Sequence, residues 1–281
     1  MDGSGRDASS LRPSRRVSCV AWSDAPRSAQ RAVPEETAVA LTYNRATYAV
    51  MMATPADLED FAVGFSLSEG VVDRPDEIEE LEVVPGAHGV ELRMWIDPER
   101  RAVLDERRRR LAGPTGCGLC GLDSLEQAVP PLPRVGAGAP IPPAALRDAV
   151  AGLAARQVLH RETRAVHAAG LWRPGAGLCL VREDVGRHNA LDKLAGASAN
   201  AGLDAGQGAV AMTSRVSVEL VQKAARMGVP VLIAVSAPTA LAIRAADEAG
   251  ITLIGVARDD GFEIFSHPRR VLADAGTTPP G

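Results

Sequence analysis

The sequence predicts an α/β protein, and the clearest signals lie in its second half. Three short apolar runs are rich in Val, Ile, Leu and Ala, and they cover residues 208–213, 230–235 and 251–257. Helical patterns alternate with these runs over about 186–199, 216–227 and 239–249. Apolar strands separated by helices indicate a mostly parallel sheet that is covered on both faces.

The first half predicts a smaller α+β unit. Alternating apolar and polar residues over 37–53 and 78–96 are typical of two hairpins. Between them, Thr54 and Pro55 precede apolar residues at helical spacing, which predicts a helix that the Thr54 hydroxyl caps. A charged helix is expected over 98–111.

Composition suggests where these units begin and end. Residues 1–30 are rich in Ser, Arg, Gly and Pro without periodicity, which predicts a disordered tail. Residues 129–143 contain six prolines and two glycines, which predicts a linker. We therefore expect an N-terminal α+β domain over 31–128, a C-terminal α/β domain over 144–275 and a tail over 276–281.

The overall composition narrows the class of function. The chain has 281 residues and is 46% hydrophobic, which is enough for one large or two ordinary cores. A net charge of -4 argues against general nucleic-acid binding. No apolar run has the length of a membrane span, and the N-terminus lacks a signal-peptide core, so we expect a cytoplasmic protein without a membrane partner.

Two cysteines in a glycine-rich loop point to sulfur chemistry. In the stretch GCGLCG over 116–121, glycine flanks Cys117 and Cys120 on both sides, so the loop should be mobile and accessible. Exposed thiols that can move suit transfer of sulfur between partners. A structural zinc site would need two more ligands, and Cys19 and Cys179 stand alone and far apart. We therefore predict that Cys117 and Cys120 are catalytic and that no metal is held.

Polar residues follow four predicted strands, which are the three apolar runs above and a strand over 177–182, at the edge where α/β sheets bind ligands. Hydroxyls beside helix N-termini, with arginines nearby, suit a phosphate group, although each hydroxyl taken alone could simply cap its helix. The predicted binding residues are Asp184, Arg187, His188, Asn189, Ser214, Arg215, Ser236, Thr239 and Arg258.

Three segments together resemble the formate dehydrogenase accessory sulfurtransferases, the FdhD/NarQ family. They are TGCGLCG at 115–121, EDVGRHNALDK at 183–193 and VSAPT at 235–239. The likeness runs in order from about residue 34 to residue 273. The second half of that family is similar to cytidine deaminases, so the resemblance implies a three-layer, deaminase-like C-terminal domain.

The resemblance also implies an activity. Such a protein takes persulfide sulfur from a cysteine desulfurase and delivers it to the molybdenum of the bis-molybdopterin guanine dinucleotide cofactor (Mo-bis-MGD), which formate dehydrogenase then uses. Cys117 would carry the persulfide, with Cys120 as its partner. A GDP-like guanine nucleotide would bind the segment Val256, Ala257, Arg258, Asp259, Asp260 and Gly261, and the family's tendency to dimerise implies a homodimer.

Several positions depart from the family pattern, among them Asn44-Arg45 in place of a common Asn-Gly turn, and two of them bear on the binding pocket. The family tends to have Phe where this chain has Val256, and glycine where it has Arg164. Both changes put details of the binding pocket in question rather than the sulfur chemistry, because both cysteines of the loop are present.

Other functions remain open from the residues alone. A zinc deaminase would use the H-x-E pattern of His160 and Glu162, but its Pro-Cys-x-x-Cys partner should lie downstream, whereas Cys117 and Cys120 lie upstream. A disulfide oxidoreductase would place its Cys-x-x-Cys at the start of a helix after a strand. A carrier that binds the cofactor without moving sulfur is the third alternative, and it would need neither cysteine.

Overall fold

A computed structural model describes residues 11–102, 104 and 131–272. Cys117, Cys120 and their loop lie outside the described residues. The described chain forms a two-stranded ribbon, a four-stranded sheet and a six-stranded sheet, and the α/β fold class predicted from sequence is confirmed. No helix among the described residues is both long enough and apolar enough to cross a membrane.

The ribbon occupies most of the segment whose composition predicts a disordered tail. Strands β1 (Ser14–Trp22) and β2 (Pro26–Pro34) pair along their whole length in antiparallel register. The correction has a physical reason, because the half-buried Val17, Cys19 and Ala21 alternate with exposed residues at the period of a strand. The ribbon contacts a short helix over residues 158–163, where the Ser14 hydroxyl donates to the Glu162 carboxylate.

The four-stranded sheet belongs to the first half of the chain. Its strands, in spatial order, are β4 (Ala46–Ala53), β3 (Thr37–Tyr43), β6 (Gly89–Ile96) and β5 (Ile78–Gly86). Both predicted hairpins are present, and β3 and β6 run parallel at the centre. Helix α1 (Leu58–Ser68) covers the sheet and contributes Phe61 and Phe65 to the core.

Helix α1 begins differently from the sequence expectation. Its N-cap is Asp57, which has a φ of 52° and makes no side-chain cap hydrogen bond. Thr54 does not cap it. Its hydroxyl instead accepts from the N–H of Val185, far away in the sequence. The Thr54 hydroxyl, which the sequence pattern predicts as a helix cap, is therefore used for a tertiary contact instead.

The six-stranded sheet belongs to the second half. Its strands, in spatial order, are β12 (Gly261–Ile264), β11 (Thr252–Arg258), β10 (Val231–Ala234), β9 (Ala209–Met212), β7 (His167–Arg173) and β8 (Gly177–Asp184). Only β9, β10 and β11 are parallel to one another, so the sheet is mixed rather than mostly parallel. The hairpins β7–β8 and β11–β12 make the outer pairs antiparallel, as direct turns require.

Helices cover both faces of this sheet, which confirms the expected three-layer arrangement. Helix α2 (Pro143–Arg156) packs on one face, and α3 (Val158–Thr163) follows it. The other face is covered by α4 (Arg187–Asn200), α5 (Val218–Arg226) and α6 (Ala240–Ala249). Helix α4 is buried from Asn189 to Ser198, because α1 of the first unit packs against its outer side.

Two glycines allow α1 and α4 to cross with their backbones in contact. A Cβ on Gly64 would lie 1.7 Å from the carbonyl oxygen of Asp192, and a Cβ on Gly196 would lie 1.9 Å from that of Asp60. Such distances are impossible for a real side chain, so both positions require glycine. The Arg182 guanidinium adds an ion pair to Asp60 at 2.7 Å beside this crossing.

The proline-rich segment is fastened rather than free. Residues 131–142, which we call the strap, lie along the second unit, where the Val135 N–H donates to the carbonyl of Ala249. The Arg270 guanidinium, only 4% exposed, donates to carbonyls of Gly136, Ala137 and Gly250. The composition predicted a linker, but proline leaves carbonyls without local partners, and Arg270 supplies the donors.

Candidate functional site

Four strands end at one edge of the six-stranded sheet, as the sequence predicted. Strands β9, β10 and β11 are parallel neighbours, and β8 points the same way because β7 is antiparallel to both β8 and β9. The loops after these strands touch, since the Thr239 N–H donates to the Val216 carbonyl and the Val256 N–H donates to that of Ser236. We call this set of loops the strand-end edge.

The loop after β9 brings one cation and one hydroxyl to this edge. Ser214 is 3% exposed and its hydroxyl donates to the carbonyl of Arg215, so it shapes the turn. The Arg215 side chain is exposed and can reach a ligand. Of the two predicted residues, Arg215 is therefore the one available for binding.

The loop after β10 divides in the same way. The Thr239 hydroxyl accepts from the N–H of Ala242 and caps α6. Of the two roles that the sequence left open for it, the helix cap is therefore the one observed. Ser236 is half-buried, and its carbonyl accepts from the Val256 N–H.

The loop after β11 contains an irregular, strained backbone. The register with β12 shifts between Gly255 and Arg258, and Val256 within this bulge has a φ of 52°. Positive φ is costly for a β-branched residue. The bulge turns the exposed Arg258 back across the edge, where its guanidinium donates to the carbonyls of Val235 and Ala257.

The rest of the predicted segment 256–261 is divided between solvent and core. Asp259 and Asp260 are exposed in the turn, and Gly261 begins β12. Ala257 is 3% exposed and packs into the core on the α2 face of the sheet. Arg258 is thus the residue of this segment best placed to meet an anion.

Asp184 and Asn189 do not line a cleft, which corrects the sequence expectation for both. Asp184 is fully buried, and its carboxylate accepts from Lys193 Nζ at 2.6 Å, from the Thr54 N–H at 2.9 Å and from the Gly186 N–H at 2.7 Å. Asn189 donates to the same carboxylate and to the carbonyl of Met52. This network joins the two units of the protein.

A second buried network lies beside the first. Lys223 Nζ donates to the Asp192 carboxylate at 2.9 Å and to the Ser68 hydroxyl at 2.9 Å, and Ser68 also donates to Asp192. Burial acts to lower the pKa of Lys223, but the Asp192 carboxylate outweighs it and raises that pKa. Lys223 is therefore a fixed cation near the strand-end edge.

The polar groups at the start of α4 and α5 lack partners, in contrast to both networks. We call Arg187, His188, Ser217 and Glu219 the helix-start cluster. Arg187 Nε, His188 Nε2, Ser217 Oγ and Glu219 Oε2 are each buried without a hydrogen-bond partner in the described part of the chain. Within the cluster, His188 Nε2 lies 4.0 Å from Glu219 Oε2, and the Ser217 hydroxyl lies close enough to Glu219 to influence its pKa.

Burial and nearby charges leave the His188 ring neutral and the Glu219 carboxyl ionised. Burial, then Arg187 and Lys223, lowers the pKa of His188 to about 4, so the ring is neutral at physiological pH. Burial acts to raise the pKa of Glu219, but the nearby Ser217 hydroxyl and other groups outweigh it and lower that pKa. Glu219 is therefore ionised, with no protonated histidine to balance its charge.

The sequence reasoning found Arg187 and His188 but missed Ser217, Glu219, Lys193 and Thr54. Ser217 and Glu219 lie two and four residues after Arg215, so their signal in the sequence is their closeness to a predicted binding residue. Thr54 and Lys193 carry no such signal, because their roles depend on contacts between distant parts of the chain.

The remaining cysteines and the residues of the H-x-E pattern have structural surroundings of their own. Cys19 and Cys179 are free and half-buried, and the Cys179 thiol donates to the Gly177 carbonyl. His160 Nδ1 lies 3.1 Å from the carbonyl of Val166, while Glu162 receives the Ser14 hydroxyl. Among the described residues no group of three or more His, Cys, Asp or Glu side chains could hold a metal.

The strand-end edge fits a nucleotide in its chemistry. Arg215 and Arg258 are exposed and supply donors for phosphate oxygens, and the helix-start cluster supplies donors and acceptors for a polar base. The edge also matches where ligands bind in sheets of this kind.

Comparison with known proteins gives a consistent picture. The FdhD/NarQ family pattern matches residues 34–272. A protein of Agrobacterium fabrum named "Sulfur carrier protein FdhD" is 53% identical over 248 residues, covering 88% of this chain and 92% of that protein. A protein of the same name from Xanthomonas campestris is 50% identical over 270 residues, covering 95% of this chain and 96% of the relative.

A solved structure is similar over almost the whole chain. It is the crystal structure of a protein described as a formate dehydrogenase accessory protein from Desulfotalea psychrophila, with a TM-score of 0.73 and 25% identity. The match covers 93% of this chain and 100% of the other.

Proposed function

Because the chain belongs to the FdhD/NarQ family, we propose that it carries sulfur for formate dehydrogenase. The observation that supports this most strongly is 50–53% identity, over most of both chains, to proteins named sulfur carriers. The cysteine loop at 116–121 provides thiols for that task. We place the activity in the cytoplasm and expect a homodimer.

Our proposal for the first step is transfer of sulfane sulfur to Cys117. The Cys117 thiolate would attack the terminal sulfur of a persulfide on a cysteine desulfurase, forming a new S–S bond as the old one breaks. The desulfurase cysteine leaves as a thiolate, so no net oxidation occurs.

The second step is delivery of the sulfur to Mo-bis-MGD as the substrate. Release of the sulfur as sulfide requires two electrons, which Cys120 would supply by attacking Cys117 Sγ and forming a disulfide with it. A cellular dithiol reductant would then restore both thiols. The guanine nucleotide portion would bind at the strand-end edge through Arg215 and Arg258.

Intact mass spectrometry tests the sulfur steps. Wild type, Cys117→Ala and Cys120→Ala would be incubated with a cysteine desulfurase and cysteine. We expect one added sulfur on wild type and on Cys120→Ala, and none on Cys117→Ala. An unchanged adduct on Cys117→Ala would move the carrier role to another cysteine. No adduct on either wild type or Cys120→Ala would favour a carrier that binds cofactor without moving sulfur.

Calorimetric titration with GDP tests the nucleotide site separately. A charge-assisted hydrogen bond contributes about 1.5–3 kcal/mol, so Arg258→Ala should weaken GDP binding roughly tenfold or more. Arg16→Ala, on the exposed face of the ribbon, is the matched control and should bind like wild type. Equal affinity of Arg258→Ala and wild type would remove Arg258 from the site.

A further inference from the structure

We infer that Glu219, with Arg187 and Ser217, recognises the 2-amino-4-oxo edge that guanine and pterins share. This inference rests on the proposed function, because it names which chemical feature of the cofactor the helix-start cluster reads. The proposed binding of phosphate by Arg215 and Arg258 does not depend on how the base is recognised.

The first support is the contrast between this cluster and its neighbours. Asp184 and Asp192 are buried nearby, and each accepts several short hydrogen bonds from the protein. Among the residues that the structure describes, Glu219 Oε2 is buried without a hydrogen-bond partner, and it lies 4.0 Å from His188 Nε2, which has none there either. Buried polar atoms are almost always paired, so an unpaired group at a ligand-binding edge indicates that the partner is a ligand.

The second support is the type of ligand that these atoms could satisfy. Arg187 Nε can only donate, the Glu219 carboxylate can only accept, and the Ser217 hydroxyl can do either. A phosphate offers acceptors alone and would be repelled by Glu219. Guanine and pterin carry a ring N–H and an amino group beside a carbonyl oxygen, which matches a carboxylate next to an arginine.

The position of the cluster is the third support. Glu219 and His188 retain 26% and 30% of their side-chain surface, so part of each side chain is open to a ligand. Arg187 and His188 start α4, while Ser217 and Glu219 lie at the start of α5. The cluster is therefore held by two helices that pack on the same sheet, which fixes its geometry.

Exchange of the base tests the assignment. Wild type, Glu219→Gln and Glu219→Asp would be titrated with GDP, with xanthosine diphosphate and with 6-hydroxymethylpterin. Xanthine replaces the 2-amino group with an oxygen, so the carboxylate should reject it by roughly tenfold or more. A glutamine amide can donate to that oxygen, and Glu219→Gln should therefore weaken GDP binding and gain affinity for xanthosine diphosphate.

Two variants control for indirect effects. Glu219→Asp keeps the negative charge but has a shorter side chain. It should therefore bind GDP more weakly and show no increase in affinity for xanthosine diphosphate. Glu263→Gln alters an exposed carboxylate on β12 and should leave all three ligands unaffected. A gain of affinity for xanthosine diphosphate is a result that simple damage to the fold cannot produce.

The outcomes separate this inference from the proposed function. Reversal of the base preference in Glu219→Gln would place the guanine at the cluster, while loss of pterin binding with unchanged GDP binding would place the pterin there. If wild type binds GDP or the pterin and Glu219→Gln changes neither, the inference fails and the proposed function stands. If wild type binds none of the ligands, the cofactor assignment fails and the inference fails with it.

Discussion

The Asp184 carboxylate lies 2.6 Å from Lys193 Nζ, and neither side chain has any exposed surface. Lys193 also donates to the Thr54 carbonyl, and Asp184 accepts the Thr54 N–H, so this ion pair holds the end of β4 against α4. A buried charge without its partner is costly, which makes this pair a point where one substitution should affect both units.

Lys193→Met should destabilise the protein by about 3–5 kcal/mol, because it leaves the Asp184 charge buried and unpaired. Urea denaturation measures the loss. The control is Arg74→Ala, which removes an ion pair to Asp76 whose side chains are both 69% exposed, and should cost about 0–1 kcal/mol. A loss in Lys193→Met no larger than in the control would contradict the assignment.

Gly196→Ala should destabilise the crossing of α1 and α4 by about 2 kcal/mol or more, since the added methyl meets the Asp60 carbonyl. Gly152→Ala is the matched control within helix α2, where a Cβ would lie 3.5 Å from Leu178, an ordinary contact. That control should be neutral or stabilising by up to about 1 kcal/mol, as alanine favours helix. Thermal unfolding of both variants decides the matter, and equal stabilities would argue against the close crossing.

Mild acid should destabilise the protein through His188. The pKa of this ring is lowered to about 4 in the fold by burial first, from an ordinary 6.5. Between those values the unfolded chain binds a proton that the folded chain does not, so stability present above pH 6.5 is lost as the pH falls towards 4. The charged groups around the ring are Arg187, Lys223, Glu219 and Glu69.

The measurement is the melting temperature from neutral pH down to about pH 5. His188→Gln should show a smaller fall than wild type. Part of the fall should remain, because burial also lowers the pKa of His167. His88→Gln, in the exposed turn before β6, serves as the control. Identical pH profiles for wild type and His188→Gln would show that the ring is not buried in its neutral form.

Val256→Asn should stabilise the protein by about 1 kcal/mol, because asparagine tolerates the left-handed backbone better than a β-branched residue does. Val256→Ile keeps the branch and should leave stability close to wild type. Chemical denaturation of the three proteins gives the comparison. A loss of stability in Val256→Asn would mean that packing of the valine outweighs its strain.

The sequence predicted most of what local patterns determine. The alternation of apolar strands and helices after residue 186 was confirmed, as was the meeting of four strand ends at one edge. The burial of Asp184 could not be predicted, because a carboxylate at a strand end looks the same whether it faces a ligand or Lys193. The prediction that Thr54 caps α1 was wrong for the same reason, because a threonine hydroxyl before a helix can either cap it or accept from a distant N–H.

The strap shows the limit of composition as a guide. Its prolines indicate an extended segment, and the structure confirms that no helix or strand forms there. What fastens it is Arg270, more than a hundred residues later, and no local pattern connects the two. Ser217 and Glu219 lie beside a predicted binding residue in the sequence. Their buried atoms without hydrogen-bond partners among the described residues, which only the structure shows, distinguish them from ordinary polar residues of a helix start.

The attachment of the strap has a consequence for synthesis of the protein on the ribosome. Chains grow from the N-terminus, and Arg270 is among the last residues of the described chain to be made. Until it emerges, the carbonyls of Gly136 and Ala137 lack their donor, and Ile141 lacks its bridge to Val271. The second unit can therefore complete its fold only after residues 270 and 271 have left the ribosome, and a ribosome that stalls before residue 270 would release a chain whose strap is not yet fastened.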